Sequence, residues 1–201
     1  MERTVRSVVI AFLVSGSVVG CSATATPTDA ARGGPRGFEG PWAAQFETAY
    51  AGAHSAYERD VLRDGAVSVA EYEQTRSHVA SCLADAGYKI TYDATGGFEL
   101  GSEDGSYPDD FFEHSDPVLQ TCERRWDGSI RFLYEQVRRN PEQLDEAAIA
   151  VRCLRAAGLV DGSYTDDRWN EENARDDWSF DALDPAAEAC RLDPLGRWYR
   201  R

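Results

Sequence analysis

The chain is 201 residues long, with 35 acidic residues against 21 lysines and arginines, a formal net charge of −14 and five cysteines. A surface so acidic repels a phosphate backbone, which excludes nucleic-acid binding through phosphate contacts. Arg3 and Arg6 against Glu2 leave −15 on the residues after position 20. Anionic headgroups repel such a domain at short range, so it suits a tether to a membrane better than a place on its surface.

In chain order the first element is an export signal, residues 1–20. Arg3 and Arg6 precede the apolar run Val8-Val9-Ile10-Ala11-Phe12-Leu13-Val14. That run is shorter than the ~20 apolar residues of a spanning helix. Val18-Val19-Gly20-Cys21 then resembles the lipobox of bacterial lipoproteins, with Val18 where leucine is preferred. The resemblance implies cleavage before Cys21 and a diacylglyceryl group on its sulfur, where two acyl chains hold a protein on a bilayer. Residues 21–40, rich in Thr, Ala, Pro, Gly and Ser, have tether composition. Such a tether reaches at most ~65 Å when extended.

Residues 41–201 predict one globular domain, mainly α with a small β-hairpin. Trp42, Phe46, Tyr50, Ala53, Tyr57 and Val61 recur at helical spacing and predict a single first helix, ended by Asp64-Gly65. Ser68 and Glu71 form a capping box for a second helix with the stripe Val69, Tyr72, Val79, Leu83 and Ala86, and Gly87 is its left-handed stop. Tyr88–Tyr92 alternates and Phe98–Leu100 returns after Thr95-Gly96-Gly97, which predicts the hairpin. Asp116-Pro117 predicts the start of a third helix, with aspartate as N-cap and proline first in the helix. Its buried face is Leu119, Cys122, Trp126, Ile130, Leu133 and Val137, and Asp127-Gly128 kinks or divides it. Asn140-Pro141 predicts a fourth start, with Leu144, Ala148, Val151 and Leu154 inside and Gly158 at the end. A short helix is expected between Asp166 and Ala174, and a last one begins at Asp184-Pro185.

The cysteines mark a repeat. Cys82-Leu83-Ala84-Asp85-Ala86-Gly87 and Cys153-Leu154-Arg155-Ala156-Ala157-Gly158 both read C-L-x-x-A-G. Phe112 to Cys122 and Phe180 to Cys190 both read F-x-x-x-D-P-x-x-x-x-C. Two motifs recurring in one order indicate two disulfide-stapled pseudo-repeats, at about residues 66–140 and 141–195. The units imply the pairs Cys82–Cys122 and Cys153–Cys190, in the oxidising compartment that export provides. Zinc competes for the same four cysteines, but no C-x-x-C spacing is present. Together these features resemble secreted lipoproteins of high-GC Gram-positive bacteria, over Glu71 to Cys190. That resemblance implies location and architecture and adds no catalytic residue.

Chemistry-bearing groupings are sparse. His54 and Glu58, like His78 and Cys82, lie four apart as helical metal ligands do, but no H-E-x-x-H occurs. His114 is a loop residue. "GSEDG" at Gly101 does not match the nucleophile elbow G-x-S-x-G, and no free cysteine is left as a nucleophile. Acidic clusters at 103–104, 109–110, 166–167, 171–172 and 176–177 read as solvated loops, without the D-x-D-x-D-G of a calcium loop. "GSYPDD" at Gly105 is echoed by "GSYTDD" at Gly162, out of register with the cysteine repeat. Trp169, Trp178 and Trp198 lie in polar segments. They either close a small core, the favoured reading, or line a groove for a peptide or glycan. Arg197-Trp198-Tyr199-Arg200-Arg201 is a basic aromatic cluster suited to an acidic patch or a membrane surface.

The function expected from this is a membrane-anchored extracytoplasmic lipoprotein, a non-catalytic binding or accessory module of the cell envelope. Its lipidation site is Cys21 and its disulfide residues are Cys82, Cys122, Cys153 and Cys190. It has no catalytic residue, metal or cofactor, and its partner is an envelope protein or peptide. The alternatives are an envelope hydrolase using loop carboxylates at 103–110 or 166–177, and a small solute-binding lipoprotein of a transporter.

Overall fold

A computed structural model describes residues 37–199; the signal segment, Cys21 and most of the tether fall outside them. Among the described residues there are eight α-helices and one two-stranded antiparallel hairpin, so the chain is mainly α with a small hairpin.

The expected first helix is two: α1 (Ala43–Gly52) and α2 (Ala56–Leu62). The apolar period runs through both, but Ser55 takes extended backbone and its Oγ accepts from Glu58 N at 3.0 Å. A serine that caps the following turn competes with continued helix. The Arg59 guanidinium donates to Ala53 O at 3.0 Å across the break. Helix α3 (Val69–Ala84) opens with both halves of the Ser68–Glu71 capping box and buries Tyr72, Thr75, Val79 and Leu83. Val69 is 63% exposed and Ala86 is exposed, so the stripe is shorter at both ends than its period suggests. Gly87 has φ +84° and terminates the helix where an L side chain is disfavoured. Strands β1 (Tyr88–Tyr92) and β2 (Phe98–Ser102) pair with Ile90 opposite Leu100. Ile90 packs on Val79, Leu83 and Cys122, which supplies the support an isolated ribbon lacks.

Helix α4 (Phe111–Trp126) begins five residues before Asp116, and Pro117 lies inside it. This corrects the expected Asp116-Pro117 start. Phe111 is buried, stacked on Tyr107 at 4.4 Å and edge-on to Tyr88 at 5.7 Å. Burying that ring offsets a proline that removes one helical hydrogen bond, on a face where Glu113, Asp116 and Pro117 all meet solvent. Asp127-Gly128-Ser129 divides α4 from α5 (Ile130–Arg139).

Asn140-Pro141 is likewise not a helix start. Asn140 is a buried staple: its Nδ2 donates to Leu144 O at 2.8 Å and Glu146 Oε1 at 2.7 Å, and its Oδ1 accepts from Leu144 N at 2.9 Å. That amide closes a loop, and α6 (Glu146–Ala156) starts from the Asp145 cap instead. Leu144 and Ala148 are therefore exposed, while Ala147, Ile149, Ala150, Val151 and Leu154 are buried. Helix α7 (Asp166–Arg175) follows the Thr165 cap. Helix α8 (Pro185–Leu192) opens as the Asp-Pro pair predicts, with Asp184 accepting from Ala186 N at 2.7 Å.

Three apolar clusters hold these elements. Phe46, Val61, Leu62, Ile130 and Leu133 join α1 and α2 to α5. Val79, Leu83, Ile90 and Cys122 join α3, the hairpin and α4. Val151, Leu154, Tyr164, Ala187 and Cys190 join α6 to α8. Disulfides Cys82–Cys122 and Cys153–Cys190 staple the second and third clusters, with Cα separations of 5.7 and 5.6 Å. All four cysteines of the zinc reading are consumed in this way.

Candidate functional site

Helix α7 is short and strongly polar; Trp169 packs it on the third cluster, and one buried carboxylate, Glu172, ties its flanks together. Glu172 Oε2 accepts from Tyr164 Oη at 2.7 Å and Ser179 N at 3.2 Å, and its Oε1 accepts from Arg168 Nε at 2.9 Å. Burial works against the charge of Glu172, but these donors prevail and hold its carboxyl down at about 2. The same contact, with burial first, pushes the Tyr164 phenol up. Glu172 thus ties the turn before α7 and the loop after it to one point. That loop carries Trp178 and Phe180.

With α7 so placed, Trp169 faces Trp178 with ring centroids 6.0 Å apart, and Trp178 faces Phe180 at 5.3 Å. Trp169 and Phe180 also pack on the third cluster. The expected core role and the groove role are therefore combined. The rings wall a cavity of about 230 Å³ whose floor is Ala150 and Leu154 of α6 and Ala187 of α8. Arg139, Trp169, Asn173 and Arg191 also line an adjoining cleft of about 450 Å³, which runs past Arg138 and Trp198 to the hairpin turn at Thr95–Gly97.

Trp198 is fixed by Asp193, whose Oδ2 accepts from Trp198 N at 2.6 Å and Tyr199 N at 2.8 Å. Burial opposes the charge on Asp193, but backbone donors outweigh it and the carboxyl stays below its usual range. The Arg138 guanidinium lies 3.6 Å from the centroid of the Trp198 ring, within cation–π range. Arg197 pairs with Glu142 at 2.8 Å. The described part of the basic aromatic terminus thus folds back on the domain, and Glu142 is an acidic residue that meets it.

The other singled-out residues are dispersed. His54 has a side chain 62% exposed, and its backbone N donates to Glu58 Oε2 at 2.8 Å. Glu58 is buried and also accepts from Ser129 N at 2.7 Å, tying α2 to the α4–α5 junction. The His78 ring stacks on Trp126 at 4.5 Å with Tyr57 edge-on. His114 pairs with Asp110 at 3.2 Å on the surface. Asp104 and Asp161 each accept from the serine two residues on, which holds both carboxyls below their usual range. Among the described residues no group of three or more His, Cys, Asp or Glu is placed to hold a metal ion. The "GSYPDD" and "GSYTDD" echoes both run into a helix: the first precedes α4, and the second supplies the Thr165 cap and the first two residues of α7.

Arg138, Arg139, Asn173 and Arg191 were not singled out by sequence. Arg139 and Arg191 lie 52 positions apart and meet through the bond from Arg139 Nε to Arg191 O at 2.7 Å. The one available signal was two adjacent arginines, Arg138-Arg139, in a chain of net charge −14. No family model matches the chain, and no curated protein or solved structure matches it.

Proposed function

We propose that this chain is a non-catalytic binding module of the cell envelope, held at the outer face of the membrane by a lipid on Cys21, with the arginine-and-tryptophan cleft as its ligand seat. The observation that carries the reading is the cleft itself. Three cationic side chains and three tryptophans from α5, α7, the loop between α7 and α8, α8 and the C-terminal segment line it, in a strongly acidic chain. Half-buried aromatic walls with a few convergent polar groups are the usual form of a recognition site.

The anchor rests on the run Val18-Val19-Gly20-Cys21 and the tether behind it. Two disulfides accord with an extracytoplasmic location, since oxidised cysteines persist there. No helix among the described residues is long and apolar enough to cross a membrane, so attachment in this reading falls to the lipid.

Cell fractionation with intact-mass measurement tests the anchor. The wild type is expected in the membrane fraction with the added mass of a diacylglyceryl group, and Cys21→Ser in the soluble fraction without it. Equal fractionation of the two refutes the anchor. A photoactivatable residue at Leu183, which is 91% exposed and adjacent to cleft residue Ala182, tests the seat. A defined adduct in intact cells that Trp169→Ala abolishes is the expected result, and no adduct counts against a binding module.

A further inference from the structure

The cleft has two parts of different chemistry, and Arg191 lines both. The inner part, about 230 Å³, is walled by Leu154, Ala182, Ala187, Trp178 and Phe180. Drug-sized ligands begin at ~300 Å³, so this volume suits one large side chain. Its polar groups besides the arginines are Asn173 and Asp176, and Asp176 Oδ1 is taken by Trp178 Nε1 at 3.1 Å. A sugar with several hydroxyls would find few partners there; an apolar side chain needs none. The outer part, about 450 Å³, is polar, with Thr95, Glu135, Gln136 and Arg138 among its walls.

The three arginines are not equivalent. Arg139 is committed, paired with Glu146 and bonded to Arg191 O. Arg138 lies on Trp198, and its Nε is out of water with no hydrogen-bond partner. Arg191 is exposed. Among the described residues no carboxylate forms an ion pair with Arg138 or Arg191. Arg191 at the apolar hole and Arg138 in the adjoining outer part are thus two guanidiniums without an ion pair, and with Arg139 they outnumber the lining carboxylates Glu135 and Asp176 in a chain with 35 acidic residues. Guanidinium recognises carboxylate through paired, charge-assisted hydrogen bonds.

Building on the binding-module reading, we propose that the cleft receives the C-terminal end of a peptide whose last residue is large and apolar. The last side chain enters the inner part, the terminal carboxylate meets Arg191 and Arg138, and the preceding residues run along the outer part towards Thr95–Gly97. Capture of a terminal carboxylate is an established mode of peptide recognition. Here an outer part of about 450 Å³ that continues from Arg191 to Thr95–Gly97 favours a peptide over a free organic acid.

Tryptophan fluorescence of the whole protein tests this, since Trp169, Trp178 and Trp198 line the cleft. The probes are an acetylated pentapeptide Gly-Ser-Gly-Ala-Phe with a free carboxylate, the same peptide amidated, and N-acetylphenylalanine. The free-acid peptide is expected to give a saturable change, with the amide at least about tenfold weaker and N-acetylphenylalanine also weaker. Arg191→Gln should narrow the preference for acid over amide severalfold at an unchanged thermal midpoint, with Arg138 left to hold the remainder. Equal binding of acid and amide by the wild type overturns the carboxylate assignment while leaving the cleft a binding seat. N-acetylphenylalanine binding as tightly as the peptide overturns the peptide assignment. No saturable change with any probe overturns the inference, whereas failure of the underlying reading shows separately, as the absence of an adduct from Leu183 in cells.

Discussion

Replacing Glu172 by glutamine isolates the charge that positions the aromatic wall of the cleft. The wild-type carboxyl sits at about 2 against an ordinary 4.5. Its folded pKa is depressed, so its contribution to stability is present above pH 4.5 and is lost as pH falls towards 2. Full linkage over that shift is ~3 kcal/mol at pH 7. Glu172 lies just under the surface and its partner Arg168 is 49% exposed, so screening reduces this to ~1–2 kcal/mol. Glutamine also turns an amide N–H₂ towards one of three donors, with Ser179 N the worst placed because its loop is short; that adds ~1 kcal/mol. The sum, ~2–3 kcal/mol, corresponds to a fall of ~4–12 °C in thermal midpoint for a domain of this size. Urea unfolding of the disulfide-intact protein, followed by circular dichroism at pH 7 and pH 3, measures it. The gap between wild type and Glu172→Gln should shrink by about a third at pH 3, because the unfolded carboxylate is by then protonated while the amide mismatch remains. A gap of the same size at both pH values, or none at pH 7, would refute a charge-based role for Glu172.

Asp127 titrates the other way. Burial pushes its carboxyl up to about 6 from 3.8, against the hydrogen bond from Arg131 N, so the folded state binds the proton more tightly than the unfolded one. Stability should therefore fall by up to ~3 kcal/mol as pH rises from 4 to 6, and Asp127→Asn, read by thermal midpoint against pH, should flatten that slope. Gly128 has φ +54°, and a Cβ there would overlap the Glu58 carboxylate. Gly128→Ala is expected to cost more than ~3 kcal/mol in chemical denaturation, from the left-handed backbone together with displacement of a buried carboxylate. Gly128→Ala combined with Glu58→Ala should cost less than the two single changes added together, because the clash disappears with the carboxylate.

What sequence determined by itself was local or repeated. The Ser68–Glu71 box, the Gly87 and Gly158 stops, the hairpin and the Asp184-Pro185 start all depend on neighbours a few residues away, and the structure has each of them. The disulfide partners were legible because the repeat carried long-range information in duplicate. Tertiary contacts decided the rest. The same F-x-x-x-D-P run is helix interior at Pro117 and helix start at Pro185. Burial of Phe111 extends α4 upstream of Pro117, whereas the Asp184 cap starts α8 directly at Pro185. The break at Ser55 follows from a cap that competes with an unbroken apolar stripe, and the turn at Asn140 from a buried amide that closes its loop. The cleft was invisible for a related reason. Arg138, Trp169 and Arg191 have no sequence spacing in common, and only the packing of α5, α7 and α8 brings them to one place. Periodicity and capping report what a residue does to its own turn; which charges face each other depends on how finished helices pack.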